Sequence, residues 1–321
     1  MKLNKSELKI LAFLTGTQET FTLGELASKL NIKKSNASSQ LKKLEKFHLI
    51  NSFRSGRVKQ IQGSNTLFIA FSKVKETLPH IKLDDLLIGR IPYLLAYFYD
   101  TRSKRTSEFE FKISEIDLPN ITSARLLAKL RGLGLIYQKS RGLYSIRKET
   151  YEALRFCAQT LTQMSMAEAE AELKGITDIR ISFERASMPE GIFTTAIENS
   201  PKHYWPTAYT AMAKYGVPLI SSGKYYYTNI KPKLGDIIIH LLALDRDART
   251  IQYICVLMIK NSFEYRWLYK KESRFGTSDR FISELLEFIE TKGQDSPSGF
   301  PSWGEVESML KDYDVRGSAY G

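Results

Sequence analysis

Cysteine is almost missing from these 321 residues: Cys157 and Cys255 are the whole supply, far apart and among apolar neighbours. Such a pair excludes a disulfide framework and reads as two core residues of a reduced, cytoplasmic protein. Histidine is scarce too. His48, His80, His203 and His240 are scattered, and no Cys or His pair has zinc spacing. No apolar run approaches the ~20 residues of a membrane helix. The longest, Ile237–Leu244 (containing His240) and Ile254–Ile259, suit buried strands. Lys2, Lys5 and Lys9 are followed by no long apolar core, so no signal-peptide pattern is visible. There is no phosphate-binding Lys-Ser/Thr loop. Arg131-Gly-Leu-Gly134 lacks the third glycine and the strand–turn–helix order of a dinucleotide site. These absences leave no cofactor, no metal and no membrane partner to expect.

What is present is segregated charge. Residues 1–150 hold 27 Lys+Arg against 13 Asp+Glu, and the remainder holds 20 against 22. The whole formal excess of +12 therefore belongs to the N-terminal half. Evenly spread charge serves solubility, whereas segregated charge points to a polyanion-binding half and an electrostatically ordinary half. The length allows two or three domains with cores of their own.

The stretch Phe21–Ile50 organises the basic half. Leu23, Leu26, Ala27 and Leu30 share one helical face, and Ala37, Leu41 and Leu44 share another beyond a polar joint at Asn31–Lys34. The second helix exposes Lys34, Ser35, Asn36, Ser38, Ser39, Lys42 and Lys43. Lysine meets phosphate, while Ser, Asn and Gln reach base edges in a major groove. A helix over Ser6–Leu14 precedes, Leu49-Ile50 opens a strand, Arg54-Ser-Gly-Arg57 turns it and Val58–Gln62 returns. The arrangement resembles a winged helix-turn-helix of prokaryotic transcription regulators. The resemblance implies that Lys34–Phe47 is a recognition helix on duplex DNA; the alternative is a structural or protein-binding winged helix.

An offset of 86 maps Leu41, Leu44, Leu49, Ile50 and Gly56 onto Leu127, Leu130, Leu135, Ile136 and Gly142. A second winged helix follows. It has a helix over Leu86–Tyr99 with a kink at Pro92, a short helix near Ile113–Ile116, and a recognition helix over Ile121–Arg131 capped by Asn120. Its wing is Tyr137–Ile146. Its reading face offers Asn120, Thr122, Ser123, Arg125 and Lys129, with Lys139 and Arg141 on the wing. Arg125 takes guanine bidentately, clamps phosphate, or is a solvated charge. Between the copies, Thr66–Phe71 reads as a strand and Lys73–Lys82 as a basic connector.

Lys148–Lys174 reads as one long helix, for dimerisation or packed on its own domains. Beyond it, Ile179–Phe183, Val217–Ile220, Tyr225–Tyr227, Asp236–Leu244 and Thr250–Met258 read as strands, the last two as a hairpin. Gly191–Ile197, Trp205–Tyr215, Tyr265–Lys271, Asp279–Thr291 and Trp303–Tyr313 read as helices. This order, an apolar strand pair and then helices carrying Phe275, Phe281, Leu285-Leu286 and Ile289, is similar to the abortive-infection AbiEi-like antitoxin family. That similarity implies autoregulation of an operon and a nucleotidyltransferase-like toxin as partner. Asp236 before a hairpin is the best catalytic candidate of a metal-dependent nuclease, but Gln252-Tyr253-Ile254 lacks the lysine of the second motif. Tyr204, Trp205 and Tyr225–Tyr227 line a ligand pocket or pack the sheet.

The reading is an α+β chain: winged helices at 1–80 and 81–148, a linker helix at 149–175, and a mixed α/β domain at 176–321 for an effector, oligomerisation or a partner. The expected function is a non-enzymatic, sequence-specific transcription regulator, a repressor in sense, that binds double-stranded DNA and can form a homodimer. An autoregulating antitoxin is the alternative.

Overall fold

Two reciprocal caps start the first helices. In α1 (Lys5–Thr15) the Glu7 backbone N–H donates to the Asn4 side chain, and the Asn4 N–H donates to the Glu7 carboxylate at 2.7 Å. After the short strand β1 (Phe21–Thr22), Thr22 and Glu25 repeat the device at the start of α2 (Leu23–Lys29). Each box satisfies backbone donors that the first helical turn leaves without partners. Then come α3 (Lys34–Lys46), β2 (Ile50–Ser55), β3 (Val58–Gly63) and α4 (Asn65–Thr77). This is a computed structural model, and it describes residues 3–103, 110–116, 118–228, 230–264, 268, 275, 279–294 and 296–313. The strands form an antiparallel sheet in the order β1–β3–β2, with Phe21 opposite Ile61 and Ser55 opposite Val58. Leu11, Leu14, Leu26, Ala37 and Leu44 close the core beneath it. Burying each leucine contributes about 1.5–3 kcal/mol. Gly63 ends the wing where a Cβ would lie 2.5 Å from the Leu14 carbonyl oxygen, so only glycine lets β3 pass the end of α1.

The chain divides into two compact units, residues 1–171 with 183–189 and residues 172–182 with 190–321. In the first unit the pattern recurs. After α5 (Leu83–Leu87) and α6 (Ile91–Ser103) come β4 (Glu110–Lys112), a 3₁₀ turn (Ile113–Glu115), α7 (Asn120–Gly132), β5 (Ile136–Ser140) and β6 (Leu143–Ile146). The sheet order β4–β6–β5 repeats that of β1–β3–β2. All eight aliphatic residues related by the offset of 86 are buried. So are the matching helix ends left-handed: His48 has φ +53° and Gly134 has φ +72°.

The copies differ in two places. The 3₁₀ turn occupies the place of α2. The two-residue wing loop is Gly56-Arg57 in the first copy and Arg141-Gly142 in the second, one position earlier in the repeat. A register shift between Gln138 and Ser140 accompanies that slip.

From the second wing the chain passes through a 3₁₀ turn (Lys148–Thr150) into α8 (Tyr151–Glu170). The expected single helix over 148–174 is therefore shorter at both ends. Leu154, Phe156, Cys157, Leu161 and Met164 bury its apolar face, and Phe71 of α4 meets Phe156 at a ring separation of 5.6 Å. One hydrophobic cluster runs from Leu8 through Leu86, Phe98 and Leu130 to Phe156. Both repeat segments thus share a core with α8, whose apolar face is occupied within its own unit. Burial pushes the Cys157 thiol far above its usual range.

The second unit has the antiparallel order β7–β8–β10–β9. Its elements are β7 (Ile176–Ser182), β8 (Glu190–Thr195), β9 (Tyr204–Pro206), α9 (Ala208–Ala211), β10 (Lys224–Thr228), α10 (Leu234–Leu244) and α11 (Ala248–Lys260). Helices Asp279–Glu290 and Trp303–Asp312 follow, and Ile238, Leu241, Ile254, Leu257, Leu285 and Phe288 lie in the core.

Several expected elements are corrected. Asp236–Leu244 and Thr250–Met258 are not a strand hairpin but the helices α10 and α11. Both are buried nearly all round, and a wholly apolar run has no period to separate buried helix from buried strand. The strand pair behind the antitoxin similarity is therefore absent from these residues. Thr66–Phe71 lies in the helix α4, Gly191–Ile197 falls mostly on the strand β8, and Val217–Ile220 has no regular structure. Trp205–Tyr215 opens in β9 before its short helical turns. Leu86–Tyr99 is divided between α5 and α6, with Pro92 in the first turn of α6 where its missing N–H costs nothing. Asn120 is the first helical residue rather than the cap, which is Pro119. The helix expected at Tyr265–Lys271 falls, except for Leu268, outside the described residues.

Candidate nucleic-acid interface

Asn31, in the left-handed region at φ +51°, turns the chain from α2 into α3. Ala37, Leu41 and Leu44 point α3 inward. Lys34, Ser35, Asn36, Ser39 and Lys42 are exposed, Ser38 and Lys43 half-buried. The Lys43 ammonium lies 3.0 Å from the Glu7 carboxylate, whose side chain is 3% exposed. Gln40 accepts from the Asn4 amide at 3.1 Å.

The wing is tied to the end of α3. Glu45 accepts from the Ser52 hydroxyl and from Lys59 at 3.0 Å. The Ser52 hydroxyl chiefly holds the Glu45 carboxyl below its usual range; burial opposes it, and Lys59 adds to the lowering. Arg54 and Arg57 are exposed, and Gly56 at φ +62° permits the tight loop between them.

Residues 3–57 match the MarR family. The matched span takes in α1 to α3, β2 and the wing loop, and stops before β3, the returning strand of the wing. The MarR match supports DNA-binding transcription regulation for this chain. No curated protein matches it.

The second copy lies beyond the MarR-matched span. On α7, Asn120, Arg125 and Lys129 are exposed and Thr122 is half-buried. Ser123 is not on the reading face. It is 0% exposed, and its hydroxyl donates to the Leu118 carbonyl at 3.4 Å. It shares the inward face with Leu127 and Leu130. The offset of 86 carries it onto Ala37, which is also 0% exposed, so the repeat itself held the signal. On the wing, Arg141 is exposed, while Lys139 is ion-paired with Glu110 of β4. One residue the sequence reading passed over is Ile121, 78% exposed in the first turn of α7. Its repeat partner, Ser35, was the available signal.

In the second unit the nuclease candidate Asp236 serves another end. It lies in the first turn of α10 and accepts the Lys233 backbone N–H at 2.9 Å. The Tyr227 hydroxyl donates to buried Glu190 at 2.6 Å, and the Thr207 hydroxyl lies 2.6 Å from His240 Nδ1. Tyr204, Tyr226 and Tyr227 are buried, which packs these aromatics in the sheet. Burial raises the Cys255 thiol to about 12. Among the described residues no three His, Cys, Asp or Glu side chains form a metal-binding group, and no helix is long and apolar enough to cross a membrane.

Proposed function

We propose that this protein is a cytoplasmic, sequence-specific repressor that grips duplex DNA with two winged helices and carries out no catalysis. The outward face of α3 carries the reading: cations and hydroxyls on a helix whose other side is sealed into the core, within the MarR-matched segment. Lys34, Lys42, Arg54, Arg57 and Arg141 hold phosphate. Ser35, Asn36, Ser38, Ser39, Thr122 and Arg125 face base edges. Lys43 and Lys139, each engaged by a carboxylate, contribute field rather than a free ammonium. Asn120 and Lys129 flank the second helix. The near-neutral second unit serves a ligand, a protein partner or a second copy in a homodimer. The antitoxin alternative has lost its strand pair, so no observation favours it.

Mapping the sites that the full-length protein occupies on its genome tests the proposal. The expected result is occupancy concentrated at one promoter region, with transcription from that promoter falling as purified protein is added. No affinity for any duplex at low ionic strength would overturn it.

A further inference from the structure

The outward faces of α3 and α7 occupy the same place in the repeat and carry different chemistry. Positions Ser35, Ser38 and Lys42 of the first copy correspond to Ile121, Ala124 and Ala128 of the second, all exposed except half-buried Ser38. Ile121 is 78% exposed. Two hydroxyls and an ammonium are thus replaced by three side chains that neither donate nor accept a hydrogen bond. Arg125 and Lys129 run along one flank of the same face, exposed.

A face of this kind has to meet something both apolar and anionic at its margins. Stable protein interfaces cover roughly 800 Å² on each partner, far more than one isoleucine and two alanines supply. Duplex DNA matches both features. Its phosphates suit the cationic flank, and in the major groove only thymine presents a methyl group. We infer that α7 reads thymine, with Ile121 and Ala124 packed on thymine C5-methyl groups, while α3 reads polar base edges through its hydroxyls. The inference rests on the DNA-binding reading above and deepens it. The two half-sites are chemically unlike, and the one beneath α7 is specified by methyl groups.

Uracil differs from thymine only by that methyl, which makes the test direct. The full-length protein is used to select a binding site from random-sequence duplexes. The selected duplex is then remade with deoxyuridine at one thymine position at a time. The expected result is a loss of about fourfold in affinity per methyl withdrawn, at one or two positions. In Ile121→Ser, a change at an exposed site, the ratio of thymine-duplex to uracil-duplex affinity falls to about one at a position where the wild type prefers thymine, whatever the variant's overall affinity. Equal affinity for thymine and uracil duplexes at every position overturns the inference and leaves DNA binding standing. So does a preference that survives unchanged in both Ile121→Ser and Ala124→Ser. Selection of no duplex at all removes the DNA-binding reading, and this inference with it.

Discussion

Lys43, on the helix proposed to face DNA, reaches back 3.0 Å to Glu7 on α1. The carboxylate is almost fully buried and also accepts from the Asn4 backbone N–H and side-chain amide, at 2.7 and 2.9 Å. Lys43 thus fastens the orientation of α3, whereas its neighbour Lys42 is free to face solvent.

The two adjacent lysines should therefore separate stability from affinity. Lys43→Ala withdraws a donor from a buried acceptor and should cost about 1–2 kcal/mol of stability. Lys42→Ala should leave the melting temperature unchanged. Together with Arg57→Ala, it should weaken binding to all duplexes and flatten the salt dependence of the affinity. Thermal melts and salt titrations of the three variants read both effects.

Ser123 should behave as a core residue. Ser123→Ala should leave DNA affinity unchanged, and Ser123→Arg should unfold the segment around α7 by burying a charge. Arg125→Ala, one helical step outside the core, should narrow the gap between specific and random DNA with no change in melting. Competition binding alongside circular dichroism distinguishes these outcomes.

Gly63→Ala should destabilise the first winged helix by about 1–3 kcal/mol. The added Cβ meets the backbone of Leu14, which cannot swing aside as a side chain would. Denaturant unfolding of the full chain measures it.

Acid should loosen the tie between α3 and its wing. Glu45 has a folded pKa below the usual 4.5, chiefly through the Ser52 hydroxyl. The stability it contributes is present above the unfolded value and is lost as pH falls through the lower folded value. Ser52→Ala should bring the two values together, lowering stability at neutral pH and making its acid limb shallower. Melting temperatures taken from neutrality down through the carboxylate range check the sign.

The first winged helix was legible because its signals are local. Leu26, Leu30, Ala37, Leu41 and Leu44 keep helical spacing, Gly56 marks the loop, and the cations fall between the apolar positions. The second copy was legible in register but not in detail. Ser123 is polar in composition and buried in fact, and only its alignment with Ala37 reveals this. The second unit resisted because α10 is apolar on every side. From Ile237 to Leu242, a strand and a deeply buried helix would be written with the same letters. Thr66–Phe71 misled for a related reason: Phe and Ile favour strands locally, yet Leu67 and Val74 at helical spacing set α4 against the core.

The single cluster joining Leu44, Leu130 and Phe156 has a bearing on how an operator can be written. Helices anchored to a common interior cannot slide along DNA independently. On the proposal that both helices meet DNA, the interval between their two contacts is built into one polypeptide, and inserting half a helical turn between the half-sites would put them on opposite sides of the duplex. Because the paired helices carry unlike residues, such a molecule has a head and a tail on its site and needs no palindrome to find its footing.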